Sequence, residues 1–167
     1  PKLYRERLDE AGIDVGIVYS TACLPLMHVR DDEVRQIGHR ALNMLLADIF
    51  SEVSDRLIPN AVIPMFSPAE ALAELDFAVN ELGFKAATFG TEVRLAVPEI
   101  AKQASELGKY TERVYPVALD ALHDYDPVWQ RCIDLKIPVG CHTAARGGGG
   151  RHSSPSNFVF NHLGGFS

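Results

Sequence analysis

The chain has 167 residues, 47% of them hydrophobic and 23% charged, which is enough apolar material for one globular core and too little charge for disorder. Its formal net charge of −6 argues against a nucleic-acid partner, because phosphate binding needs a concentrated positive field. No apolar run approaches the length of a membrane span and no signal-peptide pattern opens the chain. The three cysteines, Cys23, Cys132 and Cys141, are odd in number and lack CxxC spacing, so a reduced, cytoplasmic protein is expected.

Lys2 to Glu10 reads as a helix stopped by Ala11-Gly12, and Ile13 to Tyr19 as a strand rich in β-branched residues. A loop from Ser20 to Arg30 follows, long enough to carry function. Val34 to Val53 is the clearest helix: Val34, Ile37, Ala41, Leu42, Leu45, Leu46, Ile49 and Val53 keep three-and-four spacing, and Asp31 or Asp32 can cap its start. Leu57 to Met65 reads as a strand, softened at its entry by Pro59 and Asn60. Ser67-Pro68-Ala69-Glu70 combines an N-cap, a first-turn proline and a capping-box glutamate. The helix it opens has Ala71, Leu72, Leu75, Val79 and Leu82 as its buried stripe, and Gly83 ends it.

Phe84 to Phe89 is a short strand. Between Gly90 and Asp124 the pattern predicts a helix from Val97 to Leu107 and an extended stretch from Arg113 to Leu119. Asp126-Pro127 opens a helix through Lys136, with Val128, Trp129, Cys132, Ile133 and Leu135 as packing residues, and Pro138 to Cys141 is a further strand. Thr143 to Ser156 is a loop dominated by Gly147 to Gly150, and another helix is expected from Phe158. Strands alternating with helices imply parallel pairing and right-handed crossovers. The alternation fits either a barrel or a doubly wound sheet.

In either fold the chemistry gathers at the carboxyl ends of the strands. His142 ends an apolar strand and enters a glycine-rich loop, which makes it a candidate metal ligand. Cys141, its neighbour, points to the opposite face and reads as a small packing residue. The loops after the strands add His28, Arg30, Glu92, Arg94, Arg146, Arg151 and His152. Arg146 and Arg151 flank the glycine run; their guanidinium forks suit a substrate carboxylate, and the alternative is solvated loop charge. The glycine run lacks the Lys-Ser/Thr ending of a phosphate-binding loop, no GxSxG nucleophile elbow occurs, and there is no HxH or HExxH. His39 and His123 read as structural, and His28 and His152 as loop histidines.

Five stretches together carry a family resemblance: Glu10 to Tyr19, Arg56 to Pro64, Glu81 to Ala86, Tyr125-Asp126-Pro127-Val128-Trp129 leading into Ile137 to His142, and Asn161 to Gly165. In order and spacing the chain resembles the amidohydrolase-related branch that includes aminocarboxymuconate-semialdehyde decarboxylase and resorcylate decarboxylases. The resemblance implies a partial (β/α)8 TIM barrel, approximately strands two to five with their helices. The whole chain, 1–167, would then be a single incomplete domain truncated at both ends.

It further implies a divalent metal, zinc being the expected one, held in the family by a first-strand HxH pair, a fifth-strand histidine and an eighth-strand aspartate. Of these only the fifth-strand histidine has a counterpart, His142. Such a barrel needs about 250 residues, so a larger parent protein is expected, or association with the remainder of the barrel or with a second copy. The expected activity is that of a metal-dependent hydrolase, or a non-oxidative decarboxylase, acting on a small carboxylate or an amide- or ester-type substrate. Arg146, Arg151 and His28 would bind that substrate. The rival reading is a non-enzymatic half-barrel module.

Overall fold

A computed structural model of the chain describes residues 1–21, 23–118 and 121–142. The elements, in order, are α1 (Lys2–Ala11), β1 (Gly16–Val18), α2 (Cys23–Leu26), α3 (Asp32–Phe50) with a 3-10 turn at Ser51–Val53, β2 (Leu57–Pro59), β3 (Ala61–Ile63) and α4 (Pro68–Asn80). They continue as β4 (Ala87–Gly90), β5 (Glu92–Leu95), α5 (Pro98–Gln103), α6 (Ser105–Gly108), β6 (Arg113–Pro116), α7 (Asp126–Asp134) and β7 (Val139–His142).

β1 pairs in parallel with β2, β3 with β4, and β4 with β7. β2 and β3 are one extended stretch broken at Asn60, whose N–H donates to the Val18 carbonyl at 3.0 Å. The parallel strands therefore follow one another in space in the order they follow in the chain. A doubly wound sheet reverses direction at its switch point; no reversal occurs among the described strands. With right-handed crossovers, this order puts α3, α4 and α7 on one face, and α4 touches both α3 and α7.

The sheet also curls. A Cβ built on Gly140 in β7 would lie 2.6 Å from the hydroxyl of Tyr19, which follows β1. Three strand spacings separate the two in order, about 14 Å in a flat sheet, more than a tyrosine side chain spans. Gly140 has no side chain where Tyr19 reaches it.

β3 and β4 are buried along their whole length, as central parallel strands are. Their helix-side residues, Ala61, Ile63, Ala87 and Phe89, pack with Ala71, Leu75, Ala78, Val128 and Cys132. Phe89 meets Trp129 of α7 edge-on at 5.5 Å. The strand register Val62–Thr88–Gly140 and Gly90–His142 then assigns these residues to the opposite, inner face. Cys141 alternates to the helix side as expected, but it is exposed rather than packed.

Two caps act as the sequence suggests. Asp31 accepts from the Val34 N–H at 2.9 Å, and Ser67 accepts from the Glu70 N–H at 3.2 Å. The capping box is only half made, because both carboxylate oxygens of Glu70 are taken by Arg35.

Further expectations need correction. Ile133, expected to pack, is 67% exposed. The single strand Leu57 to Met65 is two strands. The predicted helix Val97 to Leu107 is split at Ala104 into α5 and α6, and Gly108 lets the second pack closely, since a Cβ there would lie 2.8 Å from the Ala101 Cα. Glu92–Leu95 is a strand that the sequence did not announce, antiparallel to β6. Lastly, α3 buries Arg35, His39, Asn43 and Leu46 and exposes Val34, Ile37, Met44, Leu45 and Ile49. An apolar stripe ordinarily faces the core; here an i, i+4, i+8 row of polar residues takes that place.

The polar row is justified by its partners. The Asn43 amide donates to the Val62 carbonyl at 3.0 Å and to Glu74 at 2.8 Å, and its oxygen accepts from the Val62 N–H at 2.8 Å. It completes the edge of β3 past the point where β1 stops pairing. Arg35 forks onto Glu70 at 2.7 and 2.8 Å, donates to the Val29 and Arg30 carbonyls, and lies 3.8 Å over the Phe66 ring.

His39 Nδ1 lies 2.8 Å from the Arg35 carbonyl, which can only accept, so Nδ1 carries the proton. Its Nε2 is buried with no hydrogen-bond partner among the described residues. Burial lowers the imidazole pKa, outweighing the Arg35 carbonyl and the Glu70 charge, which favour the protonated ring. A folded-state pKa below the unfolded value of about 6.5 gives stability that is full above that pH and lost as the pH falls below it. Urea unfolding at pH 7 and pH 5 should therefore show a smaller acid-side loss in His39→Leu than in the native chain. Equal losses would mean that His39 is not the group responsible.

Candidate active site

The carboxyl ends of β1, β3, β4 and β7 lie at one end of the sheet because the strands are parallel. Tyr19, Pro64, Gly90 and His142 stand there. His142 is half-buried, pairs in register with Gly90, and shares its face with Gly140 and Thr88. Thr88 accepts from the buried Asn60 amide at 2.9 Å.

The segment after β1 folds over this end. The Met27 sulfur lies 3.7 Å from where a Cβ on Gly90 would be, and His28 follows it, half-buried in a turn closed by its N–H to the Pro25 carbonyl. Arg30 then ties the segment to the β5–β6 unit. It donates to the Lys109 carbonyl at 3.0 Å and to Glu112 at 2.9 Å. Glu112 also accepts from Arg94 at 2.9 Å, and Arg94 donates to Glu92 as well. Hydrogen bonding from Arg94, with Arg30 adding its charge, holds the Glu112 carboxyl below its usual range.

Behind the site, the buried Tyr125 hydroxyl donates to the Met65 carbonyl just past β3. Burial, with Glu70 nearby, pushes its pKa up to about 12, so it stays a donor at neutral pH.

The structure thus puts His142 and His28 on strand-end segments. Arg146 and Arg151 lie outside the described residues. His39 and His123 are structural: the first belongs to the α3 packing and the second stacks edge-on to Tyr125 at 6.2 Å. Among the described residues no group of three or more His, Cys, Asp or Glu side chains could hold a metal ion. Sequence reasoning missed Tyr19 as an inner-face residue; its only signal was a strand-end tyrosine and a glycine far along the chain. It also missed Glu112 as the residue joining Arg30 and Arg94.

These features define an α/β protein with a sequentially ordered, curled parallel sheet and a strand-end site. The chain belongs to the Amidohydrolase family, whose model matches residues 7–166. It is 30% identical over 105 residues, 62% of this chain and 25% of the relative, to the decarboxylase orsB of Emericella nidulans.

Among solved structures it resembles 2,6-dihydroxybenzoate decarboxylase from Rhizobium, with TM-score 0.59, 24% identity, and coverage of 93% of this chain and 41% of that one. It resembles a dihydroxybenzoic acid decarboxylase from Polaromonas sp. JS666, bound to manganese and the inhibitor 2-nitroresorcinol, with TM-score 0.62, 23% identity, and 92% and 39% coverage. A putative amidohydrolase from Staphylococcus aureus matches with TM-score 0.60, 16% identity, and 97% and 47% coverage. At these identities the structural likeness speaks to the fold. The chain spans a quarter of the curated relative it matches and two fifths to about half of these structures. Among the described residues, no helix is long and apolar enough to cross a membrane.

Proposed function

We propose that this chain is the part of a (β/α)8 barrel enzyme running from its second to its fifth strand, and that the whole enzyme removes CO2 from a small aromatic carboxylate without oxidation. The observation that carries this reading is His142, at the carboxyl end of β7 and on the inner face with Gly140. That is where the family resemblance expects a metal ligand. The similarity to decarboxylases favours decarboxylation over amide or ester hydrolysis.

His142 would give one imidazole nitrogen to a divalent metal, zinc or manganese, with the other ligands supplied from beyond the described residues. The metal, when bound, supplies Lewis-acid charge at the reacting end of the substrate. Arg146, Arg151 and His28 would bind and orient the substrate carboxylate, the two arginines through bidentate pairing. The β5–β6 unit, pinned by Arg30 and Glu112, would shield that end of the sheet from water. The free thiols Cys132 and Cys141 suit the reducing cytosol as its setting.

Metal content of the intact protein tests the reading. The native protein should carry a divalent ion and release CO2 from dihydroxybenzoates. His142→Ala should bind that ion at least about 100-fold more weakly, beyond the roughly 10–100-fold typical of losing only a ligand's orienting partner. Unchanged stoichiometry and activity in His142→Ala would reject the ligand role. A metal-free protein without decarboxylase activity would favour the rival, a half-barrel module, for which the exposure of Ile17 and Val139 speaks.

A further inference from the structure

His142 has two glycines beside it on the inner face: Gly90, its register partner in β4, and Gly140, two residues before it in β7. Each leaves a space, and one segment of chain reaches both. The Met27 sulfur lies 3.7 Å from where a Cβ on Gly90 would be, an ordinary packing distance. Tyr19 comes closer. A Cβ on Gly140 would lie 2.6 Å from its hydroxyl and 3.0 and 3.2 Å from its Cε1 and Cζ. Atoms that only pack stand about 3.5–4.0 Å apart, so no side chain fits at position 140 unless the tyrosine ring moves.

Tyr19 arrives there across the concave side of the sheet. It follows β1, and Gly140 lies in β7, with β3 and β4 between them in the order of pairing. The ring therefore passes in front of β3 and β4 on the inner side. What it passes over is small. Beside Gly140 in register stand Thr88 and then Val62. A barrel of this kind fills its interior with layers of bulky branched side chains. Glycine, threonine and valine leave this layer underfilled, and the ring of Tyr19 supplies the missing volume.

Nothing deeper continues the space. Thr88 is held by the Asn60 amide at 2.9 Å, and Asn60 and Thr88 are each 2% exposed. The layer of Tyr19 is thus the bottom of any chamber that opens at the strand ends. Its height is fixed by the strand: Gly140 and His142 are two residues apart, about 7 Å along β7. An aromatic ring lying on this floor reaches the level of His142. A second ring fused to it on the floor side has no room.

We infer that Tyr19 is a specificity-determining residue: its ring is the floor that limits the substrate to a single-ring aromatic acid, and Gly140 is small so that the ring can lie at this depth. The inference rests on the proposed decarboxylation at His142 and adds to it the size of the acid. Two opposite changes follow from the geometry. Cutting the ring away lowers the floor, and a methyl group at position 140 lifts the ring into the chamber.

Competition between two acids in the intact protein tests it: a dihydroxybenzoate, and a hydroxynaphthoate, which carries a second fused ring. The native protein is expected to favour the benzoate. Tyr19→Ala should shift the ratio of kcat/KM towards the naphthoate roughly 10-fold or more, since a single methylene in an apolar pocket is already worth about 10–200-fold. Tyr19→Leu keeps an apolar side chain across the sheet, should shift the ratio the same way by less, and decides the matter if the alanine variant does not fold. Gly140→Ala should raise KM for the benzoate about 10-fold with kcat changed less, the mark of lost uniform binding in an overfilled site. Adding Tyr19→Leu to Gly140→Ala should restore KM. A ratio unchanged in both Tyr19 variants overturns the inference and leaves the decarboxylation standing. So does a Gly140→Ala defect that Tyr19→Leu fails to relieve, because the ring would then not be what the methyl group displaces. A native protein that releases CO2 from neither acid overturns the proposed function, and the inference with it.

Discussion

Glu70→Gln is expected to lower the unfolding free energy by about 3–5 kcal/mol, the cost of stranding a buried charge. Arg35 is 2% exposed and Glu70 8%, and their two-point contact is the most deeply buried ion pair among the described residues. The glutamine keeps the shape and one acceptor but removes the negative charge. Arg35 is left with Asp32, which sits at the solvent, and with the Val29 and Arg30 carbonyls. A domain of ordinary stability has roughly 5–15 kcal/mol in total, so the variant should melt far below the native protein.

Replacing both partners, Arg35→Met with Glu70→Leu, should recover much of the loss, because no charge then remains to be desolvated. Denaturant titration of the two single variants and the double variant measures the coupling. If the single losses simply add up in the double variant, the pair does not hold the α3–α4 packing as argued.

Asn43→Leu should cost about 3–4 kcal/mol, although leucine has the same branched arrangement of side-chain heavy atoms as asparagine. Each buried polar group left without a partner costs about 1–3 kcal/mol. The substitution strands the Val62 N–H and carbonyl and takes one donor from Glu74. The leucine itself recovers part of the loss through apolar burial. The specific readout is amide exchange: the Val62 N–H, now bonded to the Asn43 oxygen, should exchange faster by orders of magnitude. A Val62 amide as protected in the variant as in the native chain would defeat the idea that Asn43 completes the strand edge. Because β3 lies beside β4, and β4 beside β7, loosening at Val62 is expected to pass along the sheet towards His142.

Both effects arise where periodicity misleads. Along α3 the apolar residues announced a helix and its length correctly, because three-and-four spacing reports backbone period. They did not report which face is buried. That face is set by partners far off in sequence: Val62, Glu70 and Glu74 offer charge and unpaired backbone, and burying Arg35 and Asn43 against them satisfies these groups at once. The same limit explains Leu57 to Met65, where β-branched composition indicated extension but the break at Asn60 depends on where β1 stops pairing. The β5 strand was missed although Glu92-Val93-Arg94-Leu95 alternates polar and apolar, because a run of four residues shows its pairing only with β6, well over a dozen residues further on.

The site was legible to a similar degree. His142 stood out because an apolar strand delivers it into a glycine-rich loop, and the strand register puts it at the carboxyl end beside Gly90. The role of Gly140 was not legible, since its reason is the hydroxyl of Tyr19, over a hundred residues away in sequence.

By itself, then, the sequence determined the alternation of strands and helices, the caps at Asp31 and Ser67, the family, and the histidine at the end of the last described strand. These follow from local rules: backbone period, capping geometry, and motifs read in order. Only the tertiary structure decided that successive strands lie side by side without reversal, that the sheet curls enough for Tyr19 to meet Gly140, and that α3 turns its polar row inward. Each of these is a contact between residues distant in the chain, and its energy depends on a partner that local pattern does not specify.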